Sequence, residues 1–441
     1  MFRLPTTATA PFCPTEVAGT VSVPVGDPFW KKVLRFAGPG LLVSVGYMDP
    51  GNWATAIQGG SQFGYQLLFV VVLSSLAAIV LQCLSMRLGI ATGKDLAVHC
   101  REQYRPGVNK VLWGFAEISI VACDLAEVLG CALAFKLLLG VTLPVGVALT
   151  ALDTLIVLGL KGKGFRQIEA IILGLIATVA VCLVAELAFV KPDWHAVAAG
   201  LVPSMATLSH REPLYLAIGI LGATVMPHNL YLHSSIVQTR VVQKNDASKQ
   251  EAIGLSRIDT VVSLLLALLV NGAILVLAGA AFYTGDSSKI VDIDDAYHLL
   301  DPVAGSAAAG ILFGLALFAS GQSSTFTGTI AGQVIMEGFL KLRIPCWQRR
   351  AITRALALVP AMAGVLILGE HSVGTLLVLS QVVLSLQLPF AMYPLVRFTS
   401  RRDMMGTFAN AWWTTAPAWL LFVVISAANI WLVWQAFNGS N

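Results

Sequence analysis

Of the 441 residues, 56% are apolar and 12% charged, and the formal net charge is only +4. Soluble domains run near ~25% charged, and a single water-soluble core stops growing near ~250–300 residues. A soluble globular protein is therefore excluded, and no nucleic-acid partner is expected.

The first 30 residues are rich in Pro, Thr and Val and lack a continuous apolar h-region. They do not form a secretory signal, and the expectation is a mobile cytoplasmic arm, residues 1–30. Apolar stretches of ~20 residues follow, each long enough to cross ~30 Å of hydrocarbon. Eleven spans are predicted, at about 38–60, 65–86, 111–135, 142–160, 168–190, 214–238, 257–283, 304–340, 352–369, 373–396 and 411–435. With this register, 24 of the 28 Lys and Arg fall in alternate loops on one side. The other side keeps only Lys136, Lys191, Arg211 and Lys289. The positive-inside rule puts the basic side in the cytoplasm of a cell (inner) membrane, the N-terminus with it and the C-terminus outside. The seven cysteines contain no CxxC, so neither a disulfide framework nor a zinc ribbon is indicated.

The first span is interrupted at Asp49-Pro50-Gly51-Asn52 and the sixth at Met226-Pro227-His228-Asn229. Prolines and asparagines align, and the offset is five spans, an odd number, so the second copy enters from the opposite side. That pattern is the inverted five-plus-five repeat of secondary transporters, with the site at midplane between two discontinuous helices. The predicted fold is an all-α integral membrane protein of about 11 helices. Residues 31–400 form the transport core, in repeats of about 38–190 and 214–396, and 405–441 add a C-terminal span. Trp412, Trp413, Trp431 and Trp434 near the ends of that last span suit interfacial anchoring.

Proline inside a helix removes a hydrogen bond, and unwound backbone in a bilayer survives only where it lines a cavity or meets a partner. At the first break, carbonyls meet the Asp49 carboxylate and the Asn52 amide. Two readings of Asp49 coexist: a cap on the half-helix starting at Pro50, and a cation ligand, since an acid at that depth is costly. Carboxylate, amide and carbonyl oxygens alone would suit Mg²⁺, Ca²⁺ or Na⁺. Met226 stands at the position matching Asp49, with Ala223 and Thr224 supplying carbonyls one turn earlier. A thioether is a poor ligand for hard ions and a useful one for softer metals, so the set points to Mn²⁺, Fe²⁺ and neighbours. A methionine in a membrane helix is otherwise most often a packing residue.

In the third span, Glu117, Asp124 and Glu127 share one helical face, as acids of a proton relay do. The competing reading pairs them with basic groups such as Arg354 on span nine. Asp153, Glu169 and Glu186 lie near span ends, where exposure is affordable. Asn271 and Ser320–Thr325 read as interhelical hydrogen-bonding groups, and His233 as a residue that titrates or simply bonds a carbonyl. The acidic stretch 285–302 reads either as a cation-attracting mouth or as a solubilising loop.

Met48-Asp49-Pro50-Gly51-Asn52 and Met226-Pro227-His228, with His233 five residues on, resemble the paired signatures of the Nramp divalent-metal transporters, in a bacterial form. The similarity extends to Asp124-Leu-Ala-Glu127 and Gln381. It implies a LeuT-like fold and metal ligands at Asp49, Asn52, Met226 and the Ala223 carbonyl, with Gln381 joining in some conformations. It further implies proton movement through Asp124 and Glu127 and a gating or coupling role for His228. The leading expectation is proton-coupled import (symport) of Mn²⁺, Fe²⁺ and similar ions by alternating access, with the metal as cargo and no resident cofactor. A same-fold transporter of an amino acid or with Na⁺ coupling, and a cation channel, are the alternatives. Without HExxH or a compelling Ser/His or paired-Asp motif, an enzyme is not expected.

Overall fold

The computed structural model describes residues 18–23, 26–152, 165–285, 293–304, 308–342, 344, 346–369 and 373–438. Eight of its helices are long and apolar enough to cross a membrane. They are α4 (Leu68–Thr92), α5 (Pro106–Leu139), α7 (Phe165–Val190), α10 (Asp246–Phe282), α11 (Ala308–Leu340), α12 (Cys346–Leu368), α13 (Val373–Thr399) and α14 (Trp412–Asn438). The first predicted span is two helices, α2 (Pro39–Gly46) and α3 (Pro50–Phe63), preceded by a short α1 (Phe29–Phe36). The sixth is likewise two, α8 (Arg211–Thr224) and α9 (Pro227–Ile236). Each half alone is too short to cross, at 1.5 Å per residue. The fourth begins as α6 (Leu143–Thr150); its predicted continuation, with Asp153, lies outside the described residues. Eight whole helices, two broken ones and α6 account for eleven spans.

Both breaks fall where the sequence places a proline at the first helical position, with fixed φ and no N–H to lose. Asp49 (φ −65°, ψ 166°) and Met226 (φ −66°, ψ 120°) are the extended residues just before α3 and α9. The aligned residues thus occupy equivalent places in the two broken helices.

The broken helices are enclosed by the others. α10 packs along α2, α3 and α4, while α11 lies against α5, α7 and α9. α13 contacts α3, α5 and α8. Consequently every residue of α3 and α9 is buried. α14 rests mainly on α13 at the periphery, with Trp412, Trp413 and Trp434 exposed, as expected of a helix facing lipid. Glu169 and Glu186, expected at affordable exposure, are instead buried, because α7 turns these positions towards its neighbours.

Candidate metal centre between the broken helices

Asp49 divides its two oxygens. Oδ1 caps α3, accepting from Asn52 N at 2.9 Å and from Asn52 Nδ2 at 2.6 Å. Oδ2 is buried with no hydrogen-bond partner. A buried polar atom left unpaired costs about 1–3 kcal/mol, more when charged, so the arrangement is complete only with a further partner. Both readings of Asp49 thus find an oxygen.

Asn52 joins the two breaks: its Nδ2 also donates to the Ala223 carbonyl at 3.0 Å. Gln381 arrives from α13. A Cβ on Gly51 would collide with the Gln381 amide and lie 3.0 Å from Asp49 Oδ2. Glycine at 51 is therefore what leaves room for the Gln381 side chain against the first break. Gln381 Oε1 and Thr224 Oγ1 are further buried oxygens without partners. Met226 is fully buried and packs with Ala122, Cys123 and Leu384. Among the described residues no group of three or more His, Cys, Asp or Glu is arranged so that it could hold a metal ion. The centre is one carboxylate with amides, a carbonyl and a thioether nearby.

Carbonyls freed by the first break are met by side chains of α10 and α11. Asn271 of α10 donates to Tyr47 O at 2.6 Å, and Ser320 of α11 donates to Met48 O. Asn271 Nδ2 also approaches Asn52 Oδ1 at 3.4 Å. No local pattern announces these roles, because α10 and α11 come from the other half of the chain.

The acids of α5 are brought together with arginines of α12. Asp124 Oδ1 pairs with Arg350 Nη1 at 2.8 Å, and Glu117 pairs with Arg349. Arg354, the partner suggested by sequence, stands farther off at 3.9 Å from Asp124 Oδ1. Arg350 lies one helical turn nearer the basic end of α12, and that is where Asp124 meets the helix. Glu127 follows Asp124 towards the breaks, where Cys123 links two elements. Its Sγ is 3.6 Å from Glu127 Oε1 and 3.7 Å from His228 Nε2. In the sequence, only its place at i−4 from Glu127 marks Cys123.

His233 belongs to a different group. Its Nδ1 lies 2.9 Å from Gln82 Oε1, and Gln82 Nε2 donates to Tyr47 Oη at 2.8 Å. This chain ties α9 to α4 and to the end of α2. Beyond it, the start of the first span is clamped. Asp259 accepts from Gly38 N at 3.2 Å and Gly40 N at 2.7 Å. Buried Arg240 bonds Glu169 Oε1 at 2.8 Å and the Ala37 carbonyl at 2.6 Å, while Arg166 also reaches Ala37 O, at 2.6 Å. Gly38 has φ +141°, and a Cβ there would collide with Glu169 and Arg240. Farther towards the N-terminus, Val21 pairs with the stretch after α9: its N–H donates to Thr239 O at 3.0 Å, and Val241 N donates to Val21 O at 2.9 Å.

The opposite side has a cavity of its own. A cavity of about 520 Å³ lies at the far ends of the broken helices, lined by Gln62, Gln66, Thr207, His210, Glu212 and Tyr283 among others. Of the acidic stretch beyond it, residues 286–292 lie outside the described residues; Asp294 pairs with Lys136 at 2.9 Å.

Residues 40–435 match the family of natural resistance-associated macrophage protein-like (Nramp) sequences. The chain is 70% identical, over its whole length and that of the relative, to a protein of Ralstonia nicotianae named divalent metal cation transporter MntH. Its structure resembles a crystal structure of a mutant manganese transporter of Eremococcus coleocola, with TM-score 0.89 and 37% identity over 97% of this chain and 92% of that one. At 14% identity and TM-score 0.63, it also shares its fold with Mhp1, a nucleobase-cation-symport-1 family transporter, over 98% of this chain and 94% of that one. The broken-helix architecture is therefore the LeuT-like one, and the chain belongs to the Nramp family.

Proposed function

We propose that this protein imports divalent transition-metal ions, Mn²⁺ and Fe²⁺ foremost, by alternating access coupled to protons. The observation that carries the reading is the state of Asp49: one oxygen spent on the helix cap and the other buried without a partner beside Gln381. The Asn52 amide nitrogen now bridges Asp49 Oδ1 and the Ala223 carbonyl. A cation taking that bridging place would need the amide to turn its oxygen inwards. Asp49, Asn52, the Ala223 carbonyl and Gln381 would then supply oxygens, and Met226 the sulfur that favours softer metals over Ca²⁺ and Mg²⁺. The metal transport named for the relatives supports this reading.

Protons would pass by Asp124 and Glu127, with His228 joined to Glu127 through Cys123. Glu117 and the arginines, Arg354 included, balance charge along the route. His233 serves the gate on the basic side. That side faces the cytoplasm and the C-terminus lies outside, in the cell membrane, with residues 31–400 as the transport core, 405–441 as an added span and 1–30 as a cytoplasmic arm.

Uptake of Mn²⁺ by proteoliposomes under an inward pH gradient tests the reading. Uptake accompanied by proton entrance, lost with Asp49→Ala, is the expected result. A wild-type protein that moves no metal would refute it, and metal uptake without proton flux would remove the acids of α5 from the mechanism.

A further inference from the structure

We infer that α1 is an in-plane anchor that docks on an anionic membrane surface at the basic side of the protein. Its sequence, Phe-Trp-Lys-Lys-Val-Leu-Arg-Phe, places 29, 30, 33, 34 and 36 on one side of the helix and 31, 32 and 35 on the other. The apolar side is then divided by the fold. Val33 and Phe36 pack inwards on a cluster with Met86, Ile90 and Val237. Phe29, Trp30 and Leu34 face outwards, 55%, 74% and 67% exposed.

Three observations name the bilayer as what covers this face. First, only Ala37 and Gly38 separate α1 from α2, the start of a membrane-crossing span. The exposed side chains therefore lie within two or three helical turns of hydrocarbon that the protein already occupies. Second, Phe29 and Trp30 form an edge-to-face pair with centroids 5.3 Å apart, and tryptophan favours the headgroup level. Third, the charge is complementary to anionic lipid. Lys32 is engaged with Glu251 and Arg35 with Asp27, both at 2.7 Å. Lys31 is exposed and has no ion-pair partner among the described residues. An apolar stripe beside lysines is the composition of helices that lie in the interface and prefer anionic lipid.

The anchor has a mechanical consequence. α1 hands on to Ala37, Gly38 and Gly40, the groups held by Arg166, Arg240 and Asp259. Docking therefore fixes the outer end of the lever that must swing when the clamp releases.

The test places an environment-sensitive fluorophore on Leu34→Cys, with the native cysteines replaced by Ser, in the full-length protein. It is reconstituted in vesicles of phosphatidylcholine alone or with phosphatidylserine. Expected are blue-shifted emission and quenching by shallow doxyl lipids, stronger with phosphatidylserine and reduced by salt. Lys31→Gln should lower the docked-to-free ratio about fivefold in anionic vesicles, the effect of one lysine at such a surface. Water-like emission in both vesicles overturns the proposal. So does shielding that is equal in both and untouched by doxyl lipid, which would mean that protein covers the face. Should the labelled variant misfold, a photo-crosslinking amino acid at position 30 of the otherwise unaltered chain gives the same decision: a lipid adduct supports docking, and a protein adduct refutes it.

Discussion

The two breaks align residue for residue, yet they are held by different forces. At the first, polar groups do the holding: Asp49 caps α3, Asn271 and Ser320 take up the Tyr47 and Met48 carbonyls, and Asp259 grips the far end of α2. At the second, Met226 gives α9 no side-chain cap and sits in an apolar cluster instead. Packing is also tight at Gly222, where a Cβ would collide with the Gln381 backbone carbonyl. The difference teaches how one repeat can supply two functions. A polar, clamped break carries charge and rests on ion pairs and hydrogen bonds, while a packed break carries shape and, in the proposed site, would add a thioether.

Asp49→Ala should have the largest effect, reducing Mn²⁺ uptake by about 100-fold, equivalent to ~3 kcal/mol, because in the proposed site it is the charge that would balance the dication. Asp49→Asn separates the two tasks of this residue. Asparagine is as good a cap, so thermal stability should hold while uptake falls as far; recovered uptake would mean that the cap was the whole role.

Next in size is the clamp. Asp259→Ala strands the amides of Gly38 and Gly40, at about 1–3 kcal/mol each. The expected outcome is faster thiol labelling of a cysteine placed below Tyr47 on the basic side. Unchanged labelling would show that Arg240 and Arg166 suffice alone.

Met226→Ala should cost about tenfold in Mn²⁺ uptake (~1.4 kcal/mol) and admit Ca²⁺ as a competitor. If Ca²⁺ remains excluded, softness is not set at the second break. The smallest effect is expected from Ser320→Ala, which removes one hydrogen bond to Met48 O and should lower stability by about 1 kcal/mol, read by thermal unfolding in detergent. An equal loss from Thr224→Ala, whose hydroxyl oxygen has no partner, would erase the contrast between the breaks.

Much of the centre was legible because its signals are local. Proline in a span announces a break, an acid at that depth announces a role, and the five-span offset pairs Met226 with Asp49. Arg350 was not legible: Arg349, Arg350 and Arg354 carry the same charge, and only the docking of α12 on α5 selects which one meets Asp124. For His233 the sequence leaves two readings open, a titrating residue or one that bonds a neighbouring group. The packing of α9 on α4 places its ring on Gln82, which in turn bonds Tyr47.

By itself the sequence determined the membrane class, the span order, the two breaks and the donor types at them. Hydrocarbon thickness and proline geometry act within a single stretch of chain. Only the tertiary structure decided that Asp49 keeps one oxygen free, that Asn271 and Ser320 repair the first break, and that Glu169, Arg240 and Asp259 clamp the start of α2 on the basic side. Those contacts join residues 71 to 272 positions apart. Their geometry follows from how whole helices pack, which no local pattern encodes.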